Sequence, residues 1–163
     1  MDAIRKAVVN ALDALDIPYE ITEHLPVYTI DEMDSLGITL NGDVVKNLFL
    51  RDAKGKRHFL VVLDKDKRAD LRTLQEQLGC TKLSFASEER LEKYLSLSKG
   101  AVTPLGILND SQGAVELVFD RDLAGRQRLG VHPNENTATL WISFENLKKV
   151  ADATNHPIQY VTL

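Results

Sequence analysis

A single cysteine, Cys80, stands in the 163 residues. It excludes an intramolecular disulfide and any cysteine-based zinc centre, and suits a reducing compartment. No run approaches the roughly 20 consecutive apolar residues of a membrane helix, so no membrane association is expected. The first residues, Met1-Asp2-Ala3-Ile4-Arg5-Lys6, carry no apolar stretch of the kind a secretion signal needs, and a cytoplasmic location is the expectation. Glycine-rich phosphate loops are also missing. Neither Gly-x-Gly-x-x-Gly nor the Walker pattern occurs, which removes the anchor for a dinucleotide or kinase reading. There is no Gly-x-Ser-x-Gly elbow for a serine nucleophile. Cys80 follows Gly79 at a predicted helix end, outside any cysteine-hydrolase context, and reads as a small apolar residue.

Charge of one sign is lacking as well. The formal net charge is −4, against a general nucleic-acid coat, whose affinity comes from many phosphate contacts. The distribution is uneven, however. Nine basic residues between Lys46 and Arg72 face four acids there, leaving about five positive charges in that stretch. Either a nucleic-acid backbone or solvent can meet such a cluster.

What is present, 44% hydrophobic and 27% charged residues, is the balance of one soluble domain spanning 1–163. Asp2 is placed to cap a helix with Ile4, Val8, Ala11, Leu12 and Leu15 on one face, closed before Pro18. A short strand over 19–24 follows, then a helix opened by the capping box of Thr29 and Glu32 and ended by Gly37. Residues 44–51 and 57–63 read as a hairpin. Helices are predicted over 70–78, from Ser87 onward, and after Ser143; strands over 103–108, 114–119, 128–132, 137–142 and 157–162. Hairpins interleaved with helices imply an α+β fold, a mixed, largely antiparallel sheet flanked by helices.

Three segments interrupt these patterns with polar residues. In the strand around Lys46 and Asn47, alternation puts Lys46 on the face of Val44, Leu48 and Leu50, and Asn47 on the face of Val45 and Phe49. A lysine among leucines must reach water or an anion, or serve as an edge lysine that discourages aggregation. His132 precedes Pro133, which biases it toward extended backbone at a strand end, where an imidazole can position or exchange a proton. The run Gly100, Ala101, Val102, Thr103 and Pro104 couples a glycine that admits close backbone approach to a proline that fixes the far end of the loop. Its N–H groups could face a substrate oxygen, and an ordinary helix-to-strand connection explains the same residues. His24, His58 and His156 have no companion motif and no metal-binding spacing, so no metal and no cofactor are expected.

Together these stretches resemble the prolyl-tRNA editing deacylases of the YbaK/ProX superfamily, and within it the ProXp-ala or PrdX group. The matching runs are Thr29-Ile30-Asp31-Glu32-Met33, Lys46-Asn47-Leu48-Phe49-Leu50-Arg51-Asp52, His58-Phe59-Leu60-Val61-Val62, residues 100–110, and Gly130-Val131-His132-Pro133-Asn134-Glu135-Asn136-Thr137-Ala138-Thr139. The resemblance implies hydrolysis in trans of alanyl-tRNA(Pro). A pocket shaped for proline cannot strongly exclude a smaller amino acid, and a second site must sieve by size. It implies Lys46 as the anchor of the terminal phosphate or substrate backbone, and Asn47 as a holder of the ester end. His132 would shape the pocket or orient the ester. Phe49 and the 100–104 backbone would contact substrate, and Arg51 the acceptor stem. A positioned water aided by the substrate's own 2′-hydroxyl would replace a protein nucleophile. Where many relatives carry an aromatic residue after Pro104, this chain has Leu105.

The implied partner is the acceptor stem of tRNA(Pro) carrying a small amino acid, with prolyl-tRNA synthetase or an elongation factor left open as protein partners. Rival readings are a deacylase for cysteinyl or seryl esters and a non-catalytic module that binds tRNA or synthetase. A protein-interaction domain unrelated to tRNA would require Lys46 and His132 to lie far apart.

Overall fold

The structure is a computed structural model that describes residues 3–163; the expected cap at Asp2 lies outside them. Helix α1 (Ala3–Ala14) leads into strand β1 (Glu20–Glu23) and helix α2 (Ile30–Ser35). The Thr29 hydroxyl accepts from the Glu32 amide, and Gly37 ends the turn with φ +73°, as the capping box and glycine require. The expected hairpin is formed by β2 (Asp43–Arg51) and β3 (His58–Asp64), whose register sets Lys46 opposite Leu63 and Arg51 opposite His58. Helix α3 (Leu71–Leu78) is capped by Asp70, helix α4 (Glu88–Leu95) by Ser87 and helix α5 (Phe144–Ala153) by Ser143. Between them run β4 (Ser84–Phe85), β5 (Val115–Asp120), β6 (Leu129–Val131) and β7 (Ala138–Ile142), with β8 (Ile158–Val161) last.

The strands form one sheet ordered β1-β7-β6-β2-β3-β5-β8, with β4 on the far end of β2. β1 with β7, β7 with β6, β2 with β3 and β2 with β4 are antiparallel; β2 with β6, β3 with β5 and β5 with β8 are parallel. The sheet is thus mixed, with helices on both faces. Val45, Phe49, Leu60 and Phe119 point toward α1, α4 and α5, while Leu50, Phe59, Val61 and Val118 point toward α3. A smaller cluster joins Met33 of α2 to Val44 and Trp141. Covered on both faces, β3 is buried almost throughout, which explains its uninterrupted apolar run.

Two expectations fail locally. Residues 103–108 form no strand: the chain makes a 3-10 helix, Pro104–Asn109, because Pro104 fits a first helical position and the Thr103 hydroxyl accepts from the Leu105 amide. In α1 the buried positions are Arg5, Val8 and Leu12, while Ile4, and Leu15 just past the helix end, are exposed. Arg5 takes an inward place because carboxylates meet it there. It contacts Glu135 at 2.8 Å and Glu23 at 2.5 Å, so its charge is buried paired.

Candidate active site at an open strand edge

Strand β2 pairs with β3 along its length, but its other edge is covered only at the ends. β6 takes Asp43 and Val44, and β4 takes Leu50 and Arg51. The Asp43 amide donates to Arg128 and the Phe49 carbonyl accepts from Ala86 on that edge. Two-residue alternation therefore turns the main-chain groups of Val45 and Asn47 the same way, into the gap where β6 has already turned off at His132.

This gap is a half-enclosed cavity of about 160 Å³ whose walls include Lys46, Asn47, Gly100, Val102 and His132. Lys46 and Asn47 leave opposite faces of β2, yet both reach the cavity because the sheet is split there. Residues 27–30 close one side, held by reciprocal bonds in which the Val27 amide donates to the Asn136 carbonyl and the Asn136 side chain to the Val27 carbonyl.

The polar groups have definite partners. Lys46 donates its ammonium to the Lys67 carbonyl and makes no ion pair among the described residues. Asn47 Nδ2 donates to the Val102 carbonyl at 3.1 Å, which fixes the amide orientation, and its Oδ1 is buried with no protein partner. His132 Nδ1 lies 3.4 Å from the Ala138 carbonyl. A carbonyl only accepts, so Nδ1 carries the proton and Nε2 keeps its lone pair. Burial pushes the His132 pKa below its ordinary 6.5, against the opposing effect of the Ala138 carbonyl, and the imidazole is neutral at pH 7.

The other anticipated residues are distributed around this centre. Ala101, Thr103 and Pro104 are buried behind the cavity rather than on its wall. Thr103 ties the loop to the histidine, donating its hydroxyl to the His132 carbonyl at 2.6 Å. The loop's amides are partly consumed internally, Ala101 to Ser98 and Leu105 to Thr103. Leu105 is fully buried in the main core and does not line the cavity. Phe49 is buried too, and lines a neighbouring groove. Arg51 sits five residues along β2 from Lys46, roughly 17 Å away at strand rise. Its guanidinium donates to the Asp52 and Ala53 carbonyls and has no acidic partner among the described residues. Within the basic stretch, Arg57, Lys65 and Lys67 are already paired with acids. Cys80 is partly buried and packs against the core cluster that includes Leu74 of α3, and burial pushes its thiol pKa up.

The wall from Val27 to Met33 was not assigned any site role by the sequence patterns. Its one visible signal is Tyr28, a large aromatic 70% exposed, whose ring rests on Gly100. A Cβ there would lie 2.6 Å from the ring. The absent side chain is thus used by the protein's own tyrosine.

Comparison with known proteins places this cavity in context. A model of the aminoacyl-tRNA editing domain matches residues 24–150, which include every cavity residue named above. The chain is 54% identical over its full length to the prolyl-tRNA editing protein ProX of Acetoanaerobium sticklandii, covering 99% of that protein. It is 36% identical over 155 residues to the prolyl-tRNA synthetase associated domain-containing protein 1 of Danio rerio, covering 94% of this chain and 84% of that one. A solved structure with a proposed role in trans-editing for prolyl-tRNA synthetase has the same fold, with a TM-score of 0.74 at 18% identity over 100% of this chain and 99% of that one. A family model covering most of the chain and a relative sharing more than half its residues end to end lead to one conclusion: the chain belongs to the aminoacyl-tRNA editing domain family, among the prolyl-tRNA editing proteins.

Proposed function

We propose that this chain removes alanine from alanyl-tRNA(Pro) in trans, with the aminoacyl ester in the cavity at the open edge of β2. The observation that carries this reading is the cavity's size together with its unpartnered acceptor. A cavity of about 150 Å³ accommodates benzene, and the one here is about 160 Å³. The alanyl ester group has as many non-hydrogen atoms as benzene; a prolyl ester has two more. Asn47 Oδ1, buried without a partner, would accept from the substrate's ammonium group. Lys46 would hold the terminal phosphate or substrate backbone with the N–H groups not given to Lys67, and the main chain at Gly100 and Val102 would face the ribose or the developing oxyanion. Ala101, Thr103, Pro104 and Phe49 would act from behind the wall. Arg51 would meet the acceptor stem.

No protein nucleophile is needed. Water adds to the ester carbonyl, the bond to the ribose oxygen breaks, and alanine leaves a free tRNA end. His132 would orient the ester or the water through Nε2, and the neighbouring 2′-hydroxyl of the substrate would assist the attack.

Deacylation of alanyl-, cysteinyl-, seryl- and prolyl-tRNA(Pro) measured side by side tests the reading. Alanyl ester should be hydrolysed fastest and prolyl ester spared, and Lys46→Ala should abolish turnover in a folded protein. Persistent alanyl ester, or equal loss of prolyl ester, would reject it. Preference for cysteinyl or seryl ester would keep the chemistry and change the substrate.

A further inference from the structure

The open edge of β2 does not end at the cavity. Beyond Asn47 it continues into a second groove of about 410 Å³, which shares Asn47, Val102 and Lys99 with the first. Its floor is apolar, formed by Leu48, Phe49 and Leu91, and Phe85 forms part of its wall. Phe85 is 65% exposed. Its backbone is nonetheless fixed, because β4 pairs Phe85 with Leu50 and the next amide, that of Ala86, donates to Phe49 at 2.9 Å. A rigidly mounted, solvent-facing aromatic beside an apolar slot is a stacking platform.

The chemistry of the substrate says what should occupy it. An aminoacyl ester hangs from the ribose of a terminal nucleoside, and the base leaves the same ribose on another carbon. A site that holds the ester must therefore accommodate a base one sugar ring away. The second groove directly adjoins the first, across Asn47 and Val102. Charge favours a neutral occupant over a phosphate: the groove's one lysine, Lys99, is offset by Glu88 at 3.9 Å, both largely exposed.

We infer that this groove binds the terminal nucleobase of the aminoacyl-tRNA, stacked on Phe85, while the ester occupies the smaller cavity; the inference rests on the hydrolytic reading above. One base on one aromatic ring corresponds to roughly 5- to 150-fold in affinity.

The test uses alanyl-tRNA(Pro) ending in adenosine and the same tRNA with an abasic terminal ribose, with adenosine 5′-monophosphate titrated in parallel and followed by amide chemical shifts. The protein should hydrolyse the adenosine-terminated ester at least about fivefold more efficiently, through KM. Phe85→Ala should erase that preference while leaving the abasic substrate unaffected, and Phe85→Trp should retain it. Adenosine monophosphate should shift the amides of Phe85 and Lys99. Equal hydrolysis of the two esters by the unmodified protein, or a Phe85→Ala loss of the same size on both, would overturn the subsite and leave the hydrolytic reading standing. Hydrolysis of neither ester, with the shifts still present, would overturn the hydrolytic reading and leave a nucleobase site. Absence of both would remove the two together.

Discussion

At the scale of single residues, Asn47 is informative because only half of its amide serves the fold. Its amide nitrogen makes one bond to Val102, while its buried oxygen makes none, and a buried unpaired acceptor costs about 1–3 kcal/mol. A group retained at that cost is a candidate for function. Asn47→Ala should therefore leave stability within about 1 kcal/mol of the parent, one lost hydrogen bond being offset by one removed orphan. Alanyl-tRNA(Pro) deacylation should fall at least about tenfold, the value of a 1.4 kcal/mol interaction. Urea midpoints beside single-turnover rates would decide, and a destabilised but fully active variant would contradict the argument. Alternation along a strand was enough to single out Lys46 and Asn47. It did not predict that both would line one cavity, because opposite faces meet only where a sheet splits.

At the scale of elements, the glycines on the two sides of the cavity separate fold from selectivity. A Cβ on Gly130 would meet Trp141 at 2.6 Å and Val44 at 3.1 Å. Both of those side chains are buried at 2% exposure. Nothing can yield, and Gly130→Ala should cost about 1–3 kcal/mol, as overpacking does. A Cβ on Gly100 would meet Tyr28 just as closely, but that ring is mostly in solvent and can swing away. Gly100→Ala should leave thermal stability near the parent's and shift the wall of the cavity, so that the rate ratio of alanyl to prolyl ester narrows. An unchanged ratio would place Tyr28 outside the selectivity mechanism. Caps at Thr29, Ser87 and Ser143 were legible in sequence because capping is local. The strand expected over 103–108 was misread for the same reason inverted: a short apolar run fits either period, and the Thr103 and Pro104 signals for a helical start outweighed it.

For the whole molecule, two histidines tie stability to pH. His58 is buried, 1% exposed. Arg90 Nη1 lies 3.0 Å from its Nε2, and since a guanidinium only donates, Nε2 accepts and the ring is neutral. Burial first, then the charges of Arg90 and Arg51, hold the His58 pKa below 6.5, and burial does the same for His132. The unfolded chain therefore binds protons that the folded one refuses. Stability is fully present above about pH 6.5 and declines as pH falls from there through the lowered folded values. The urea midpoint should drop between pH 7.5 and about 5.5, before carboxylates titrate, and His58→Gln should flatten that slope. A slope unaltered by the substitution would assign the pH dependence elsewhere.

The sequence by itself determined the α+β class, the hairpin, the capped helices and the identity of the polar residues that break apolar runs, because each depends on periodicity or on contacts a few residues apart. The tertiary structure decided which of those residues share a space. Lys46, Asn47, Gly100 and His132 come together only because β2 parts from β6 after two paired residues and residues 27–30 close the opening. Phe49, Ala101, Thr103 and Pro104 fall behind the wall for the same reason. Cavities arise from long-range packing between elements, and no local pattern in a chain encodes where two strands will separate.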